Sequence, residues 1–220
     1  MTNAVRDSYD ARAKECANLF LDDLNRVPLD REWLGAFARL ASPSAGVVAD
    51  VGCGPGHIVN YLAELGVNAI GYDISPAMID EAQRAFPGSK FHVEDLTSLD
   101  IADSSLAGIV ARYSLIHLPP VQLTDVFGEL FRVLEPRAPV LVSFFASSSS
   151  VDHGLPFDHA VVTAYELFPE TVVAEMQTVG FDSFDVSTRK PQDGERPLDH
   201  GTILARRGSS GPPARHAHID

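Results

Sequence analysis

No stretch of this chain restricts its fold more than Val47-Val48-Ala49-Asp50-Val51-Gly52-Cys53-Gly54-Pro55-Gly56-His57-Ile58. An apolar, β-branched run ends in an acid and turns through glycines at alternate positions. It then enters a pattern in which Ile58, Leu62 and Leu65 recur at helical spacing until Gly66 stops it. Being apolar on both faces, the run predicts a buried parallel strand. The glycines let a ligand approach bare backbone, since they lack a Cβ and tolerate unusual φ/ψ. The free N–H groups at the helix start then face a polar or anionic group.

The rest of the chain repeats the strand-then-helix rhythm. Before the first strand, Val5, Tyr9, Ala13, Cys16, Phe20 and Leu24 step by three or four as one amphipathic helix. Pro28 ends it, and a second helix carries Trp33, Phe37 and Leu40. Asn68 to Asp73 is a second strand ending in an acid. Ser75 and Pro76 then open a helix with Met78, Ile79, Ala82 and Phe86 inward. Phe91 to Leu96 reads as a third strand running into a loop, Leu106 to Ser114 as a fourth, and Pro139 to Phe145 as a fifth. Between the last two, Leu123, Val126, Phe127, Leu130, Phe131 and Leu134 make a core-facing helical stripe.

A long irregular stretch, about 147–169, has the length of a lid or binding loop. After it come a helix over Thr171 to Val179, a strand over Phe181 to Thr188 with Phe184 and Val186 inward, and a last strand over Gly201 to Ala205. The segment order argues a doubly wound α/β sheet. The expected organisation is cap helices over 1–42, one α/β domain over 43–207, and a Gly/Ser/Pro-rich disordered tail over 208–220.

The loop departs from the dinucleotide fingerprint Gly-x-Gly-x-x-Gly, whose third glycine would fall on His57. Instead, Asp50-Val51-Gly52-Cys53-Gly54-Pro55-Gly56 resembles the first motif of the class I S-adenosylmethionine (SAM) dependent methyltransferases. An acid about 20 residues beyond such a loop is placed to accept hydrogen bonds from ribose hydroxyls, and Asp73 is that acid. The resemblance covers roughly residues 45 to 206. It implies a seven-stranded sheet with a reversed final strand, and N-terminal helices over the site mouth.

It also implies site residues. Asp50, Gly52, Cys53, Gly54, Pro55 and Gly56 would wrap the methionine part of SAM. Asp73 would hold both ribose hydroxyls, Ile74 and Met78 would border the adenine, and Asp95 and Leu96 would read its edge. Arg112, Tyr113 and Ser114, leaving the fourth strand, would help enclose the cofactor, although Arg112 could instead pair with an acid. Tyr9 and Arg12 on the cap, with His153, Phe157 and Tyr165 on the lid, would face acceptor or cofactor, unless Tyr9 only packs.

Composition narrows the partners. Seventeen basic residues against 30 acidic give a formal charge of −13 over 220 residues. Such a surface repels phosphate backbones, and no Lys/Arg cluster offsets it, so nucleic acid is not an expected partner. Cys16 and Cys53 form neither a metal spacing nor a disulfide framework. Cys53 reads as a small side chain that fits its loop. No metal, membrane span or leader peptide is expected, which makes a cytoplasmic protein, monomer or homodimer.

Methyl transfer from a sulfonium is an in-line displacement that needs alignment and a dry pocket. An oxygen or nitrogen acceptor must also lose a proton, which a histidine can take. His117, beyond the fourth strand, is the candidate base, with a turn-capping role as its alternative. His159 is the second candidate. The expectation is a methyltransferase moving a methyl group from SAM to an oxygen or nitrogen of a small molecule such as a natural-product intermediate, leaving S-adenosylhomocysteine (SAH). The competing readings are a SAM-binding regulatory protein without turnover and an NAD-dependent oxidoreductase. The first has no use for a lid with polar side chains, and the glycine spacing disfavours the second.

Overall fold

The computed structural model describes residues 3–41, 46–147 and 154–209. Seven strands form one sheet: β1 (Val47–Val51), β2 (Ala69–Asp73), β3 (Lys90–Val93), β4 (Leu106–Arg112), β5 (Pro139–Ala146), β8 (Phe181–Arg189) and β9 (Asp199–Arg207). Their order is β3-β2-β1-β4-β5-β9-β8. The first five are parallel, and β9 runs antiparallel between β5 and β8. A separate hairpin pairs β6 (Leu155–Phe157) with β7 (Ala164–Glu166) inside the expected lid.

Helices α4 (His57–Glu64), α5 (Pro76–Ala85), α6 (Leu123–Val133) and α7 (Pro169–Val179) flank the sheet. Burial follows the expected stripes. Ile58, Val59 and Leu62 of α4 are buried, and α6 buries Leu123, Val126, Phe127, Leu130 and Phe131. Every residue of β5 is buried, as a central parallel strand covered on both faces requires. Leu65 departs from the stripe: it caps α4 and is 42% exposed.

The N-terminal cap is three helices rather than two. α1 (Asn3–Phe20) ends before a turn at Leu21 and Asp22, α2 (Asp23–Arg26) is a single turn, and Pro28 opens α3 (Pro28–Ala41). Proline suits a first helical position, where its missing N–H costs nothing. α1 is pinned across the chain: Asp10 accepts hydrogen bonds from Ser75 Oγ (2.6 Å) and the Ala77 amide (3.1 Å) at the start of α5. Ser75 in turn caps α5 by accepting from the Met78 amide.

In β8 the expectation fails at one residue. Phe184 packs against the core, but Val186 is 48% exposed. β8 is the sheet's edge strand and carries a register shift between Asp182 and Asp185, where Ser183 has φ 58°. Val186 lies on an open edge, with β9 on one side only.

The order in which strands are added reverses between the parallel neighbours β1 and β4, and from there successive strands run outward on both sides. A crevice at that switch point, outside the carboxyl ends of the strands, is where open α/β sheets bind ligands.

Candidate active site

The crevice opens into a cavity of about 400 Å³. Its floor is the glycine loop. Gly52, at φ 76°, lies so close to the segment after β4 that an added Cβ would sit 2.2 Å from Ser114 Cβ. Gly54, at φ 51°, has no heavy atom within 4 Å of such a Cβ and faces open space. Gly56 does not line the cavity. It starts α4 in the left-handed region and leaves room for the Phe91 ring, 2.6 Å from where a Cβ would be. The small size of Gly56 serves packing against that ring.

Asp50 does not line the cavity either. It is 1% exposed beneath the loop, and its Oδ2 has no hydrogen-bond partner. Burial, with Asp73 nearby, pushes its carboxyl up to about 8, against a weaker pull from Arg112. Cys53 does line the cavity, and its thiol is driven upward by burial, which makes it a poor nucleophile.

Asp73, at the end of β2, accepts from the Gly54 amide through Oδ2 and from the Ser75 amide through Oδ1, both at 2.9 Å. Burial raises its pKa and the two N–H groups pull it back. Two carboxylate oxygens offer about four acceptor sites, so these bonds leave capacity facing the cavity. Ile74, Met78, Pro55 and Leu96 line the same region. Asp95 does not. Its Oδ1 accepts from the Thr97 amide and hydroxyl in a turn, and Glu94, one residue earlier, lines the wall instead.

Arg112 lines the cavity, but its charge is spent on the cap. Its guanidinium pairs with Asp23 at 3.0 Å and with Asp30, and both Arg112 and Asp30 are buried side chains. The next residue, Tyr113, takes φ 55° as it leaves β4. Its hydroxyl is hydrogen-bonded to His200 Nδ1 at 2.5 Å, and His200 Nε2 lies 3.6 Å from Glu195 Oε2. Arg189 holds that glutamate with two short bonds. Asp193, Glu195, Arg196 and His200, all around the β8–β9 connection, face the cavity. By its residues alone, Arg189 to His200 reads as a polar hairpin connection. The register Phe145↔His200 brings it to the same sheet edge.

On the opposite wall, His117 Nδ1 lies 3.1 Å from the Thr163 carbonyl. A carbonyl only accepts, so Nδ1 carries the proton and Nε2 keeps its lone pair. Tyr9 donates its hydroxyl to that lone pair at 2.8 Å. Burial lowers the His117 pKa, so the imidazole is neutral at neutral pH. His159 stands edge-on to His117 at 5.1 Å, and burial with His117 beside it brings its pKa down to about 4. Arg12 lines this wall while bound to Glu15 and to the Ala160 carbonyl. Phe157 sits one layer back against Phe145 and His159, and Tyr165 packs against the core, so neither lines the cavity. His153 lies outside the described residues.

His57 was missed in the sequence except as a misplaced glycine. It begins α4, lines the cavity, and has no partner for either ring nitrogen. Ser114 Oγ and His200 Nε2 are likewise buried without a hydrogen bond. Burial, aided by Arg112, takes the His57 pKa down to about 3. Buried polar atoms normally find partners. Those at the rim of a cavity therefore fit a polar ligand, and a glycine floor beside a fixed carboxylate fits a nucleoside. Among the described lining residues, six carboxylates (Glu15, Asp23, Asp73, Glu94, Asp193, Glu195) face four guanidinium groups, a balance that favours a cation. No group of metal-ligating side chains occurs among the described residues, and no described helix is long and apolar enough to cross a membrane.

Residues 48–137 match a family described as a methyltransferase domain. The chain is 34% identical over 107 residues to trans-aconitate 2-methyltransferase of Escherichia coli O157:H7, covering 48% of this chain and 41% of that protein. It is 26% identical over 138 residues to malonyl-[acyl-carrier protein] O-methyltransferase of Pectobacterium atrosepticum, covering 63% of this chain and 52% of that one. The chain thus spans about half the length of these curated relatives. Among solved structures it resembles a SAM-dependent methyltransferase from Methanosarcina mazei, with TM-score 0.61, 22% identity, and 74% and 93% of the two chains covered.

Proposed function

We propose that the chain is a class I SAM-dependent methyltransferase and that it transfers a methyl group from SAM to an oxygen or nitrogen of a small molecule. The observation that carries this reading is the pairing, in one cavity, of a glycine floor bonded to the Asp73 carboxylate with a neutral histidine whose lone pair is already engaged by a hydroxyl. When bound, SAM supplies an electrophilic methyl group on a positively charged sulfur.

This chain's residues do the rest. Backbone at Gly52 and Gly54 would accept the methionine part, with Ser114 and His57 as partners for its polar end. Asp73 would hold the ribose hydroxyls, with Ile74 and Met78 beside the base. The acid surplus of the lining would favour the sulfonium. At the far wall, Tyr9 accepts a proton from the acceptor at its hydroxyl oxygen while passing its own to His117 Nε2. The Thr163 carbonyl keeps His117 in the tautomer that can receive it. α1 supplies one wall of the cavity through Tyr9 and Cys16, and an enclosed site is what such a displacement needs.

Two measurements test this. Calorimetry should give tight SAH binding and none with NAD, whereas NAD binding would return the chain to the oxidoreductase reading. His117→Ala should keep SAH affinity but lower turnover about 10²-fold or more and remove the acid limb of the pH–rate profile. Unchanged turnover and profile would remove His117 from the reaction. SAH binding without methyl transfer to any acceptor would leave only a binding protein.

A further inference from the structure

The acceptor end of the cavity has a chemistry of its own. Arg12 is committed to Glu15, Arg26 to Asp23, and Arg112 to Asp23 and Asp30. Arg196, the fourth, lies over the Phe157 ring and bonds the Asp158 carbonyl. None of the first three has a charge to spare for an anionic ligand, and the lining as a whole is acidic. The same end is apolar at its mouth. Leu19 and Phe20, at the end of α1, line the cavity while remaining 55% and 38% exposed. Val27, Ile116, Phe145 and Val161 continue that surface inward.

Two hydrogen bonds show what this interior accommodates. Tyr9 and Tyr113, from opposite walls, each place a phenol hydroxyl on an imidazole nitrogen. The site therefore surrounds phenol–imidazole contacts with ring edges and aliphatic carbon. A phenol, ionising near ~10, is acid enough for a histidine to draw off its proton as the new bond forms. An aliphatic alcohol is a far weaker acid.

Resting on the methyl-transfer reading above, we propose that the acceptor is a phenol with an apolar body, uncharged at neutral pH, bound with its ring toward Leu19, Phe20 and Phe145 and its hydroxyl toward Tyr9 and His117. The proposal sets this chain apart from its trans-aconitate 2-methyltransferase relative, whose named acceptor is a polycarboxylate. The phenol's proton goes to Tyr9 Oη as the Tyr9 proton goes to His117 Nε2. A lone pair of the phenol oxygen forms the C–O bond, the C–S bond breaks, and its electron pair stays on sulfur. The products are the aryl methyl ether, SAH and an imidazolium that returns its proton to solvent.

The test uses the full chain loaded with SAH, titrated calorimetrically with naphthol, para-cresol and trans-aconitate, and the SAM-loaded chain assayed for labelled methyl on each. We expect naphthol to bind at least 10-fold more tightly than trans-aconitate and to be methylated. Leu19→Glu should weaken naphthol binding about 10-fold or more, with SAH affinity held within twofold. Trans-aconitate binding as tightly as naphthol, or naphthol failing to bind a chain that does bind SAH, overturns this inference alone. Failure to bind SAH would instead overturn the methyl-transfer reading. Should Leu19→Glu fold poorly, Phe20→Ser tests the same surface one residue on.

Discussion

The two ends of the cavity are built on different plans. The glycine-loop end is made of backbone and of residues near one another in the chain: Gly52, Gly54 and Asp73 are joined by a bond from the Gly54 amide to Asp73. The opposite end is made of side chains from distant places. Tyr9 meets His117 across 108 positions, and Tyr113 meets His200 across 87. A site made of local backbone is inherited with the fold, whereas one assembled from remote side chains is free to vary. This is why the fold fixes a cofactor class more firmly than an acceptor.

Substitutions can break or sharpen that contrast. The largest effect should come from Arg112→Ala, which strands buried Asp30 without its main partner. Breaking a buried pair typically costs about 3–5 kcal/mol, and denaturant unfolding should show that loss with the cap helices freed first. A change under 1 kcal/mol would mean the cap is held by other contacts. Gly52→Ala follows, because its Cβ would meet Ser114 and the residue would carry positive φ. Strain of ~1–3 kcal/mol should appear in stability, together with lost SAH binding, and a crystal structure with an unmoved Ser114 would contradict it. Asp73→Ala should weaken SAH by ~1.5–3 kcal/mol, read by calorimetry, while naphthol binding to the SAH-saturated variant changes little.

The smallest effect is a pH slope. His57 has its pKa lowered to about 3 in the folded chain, so between about 6.5 and 3 the unfolded chain binds the extra proton. Stability is therefore present above about 6.5 and falls as pH drops through that window. His159, lowered to about 4, acts in the same direction. His57→Gln should flatten the fall in Tm between pH 6.5 and 4. An unaltered slope would mean that His57 stays solvated.

The same contrast governs what the sequence made legible. The glycine loop, Asp73 and the Ser75 cap are local patterns, and their residues stand where their spacing predicts. Which of two adjacent acids faces the cavity was not legible: the Asp95 carboxylate turns back to Thr97 and Glu94 stands on the wall. For Arg112 the sequence left two readings open, cofactor or an acid, and could not name the acids because Asp23 and Asp30 lie more than 80 positions away. Glu195 and His200 gave no signal, since nothing in a polar connection announces which rim of the sheet it reaches. His57 carried one that went unused: a histidine at the first position of the loop helix has free amides and the cavity around it.

The antiparallel setting of β9 has a further result. Because Phe145 and His200 share a register, a turn between the last two strands arrives where the parallel strands end. Insertions or deletions there could reshape acceptor choice without disturbing any crossover helix or the nucleoside floor. Diversification of this chain's relatives should therefore concentrate in a short C-terminal hairpin, leaving the Rossmann half unaltered.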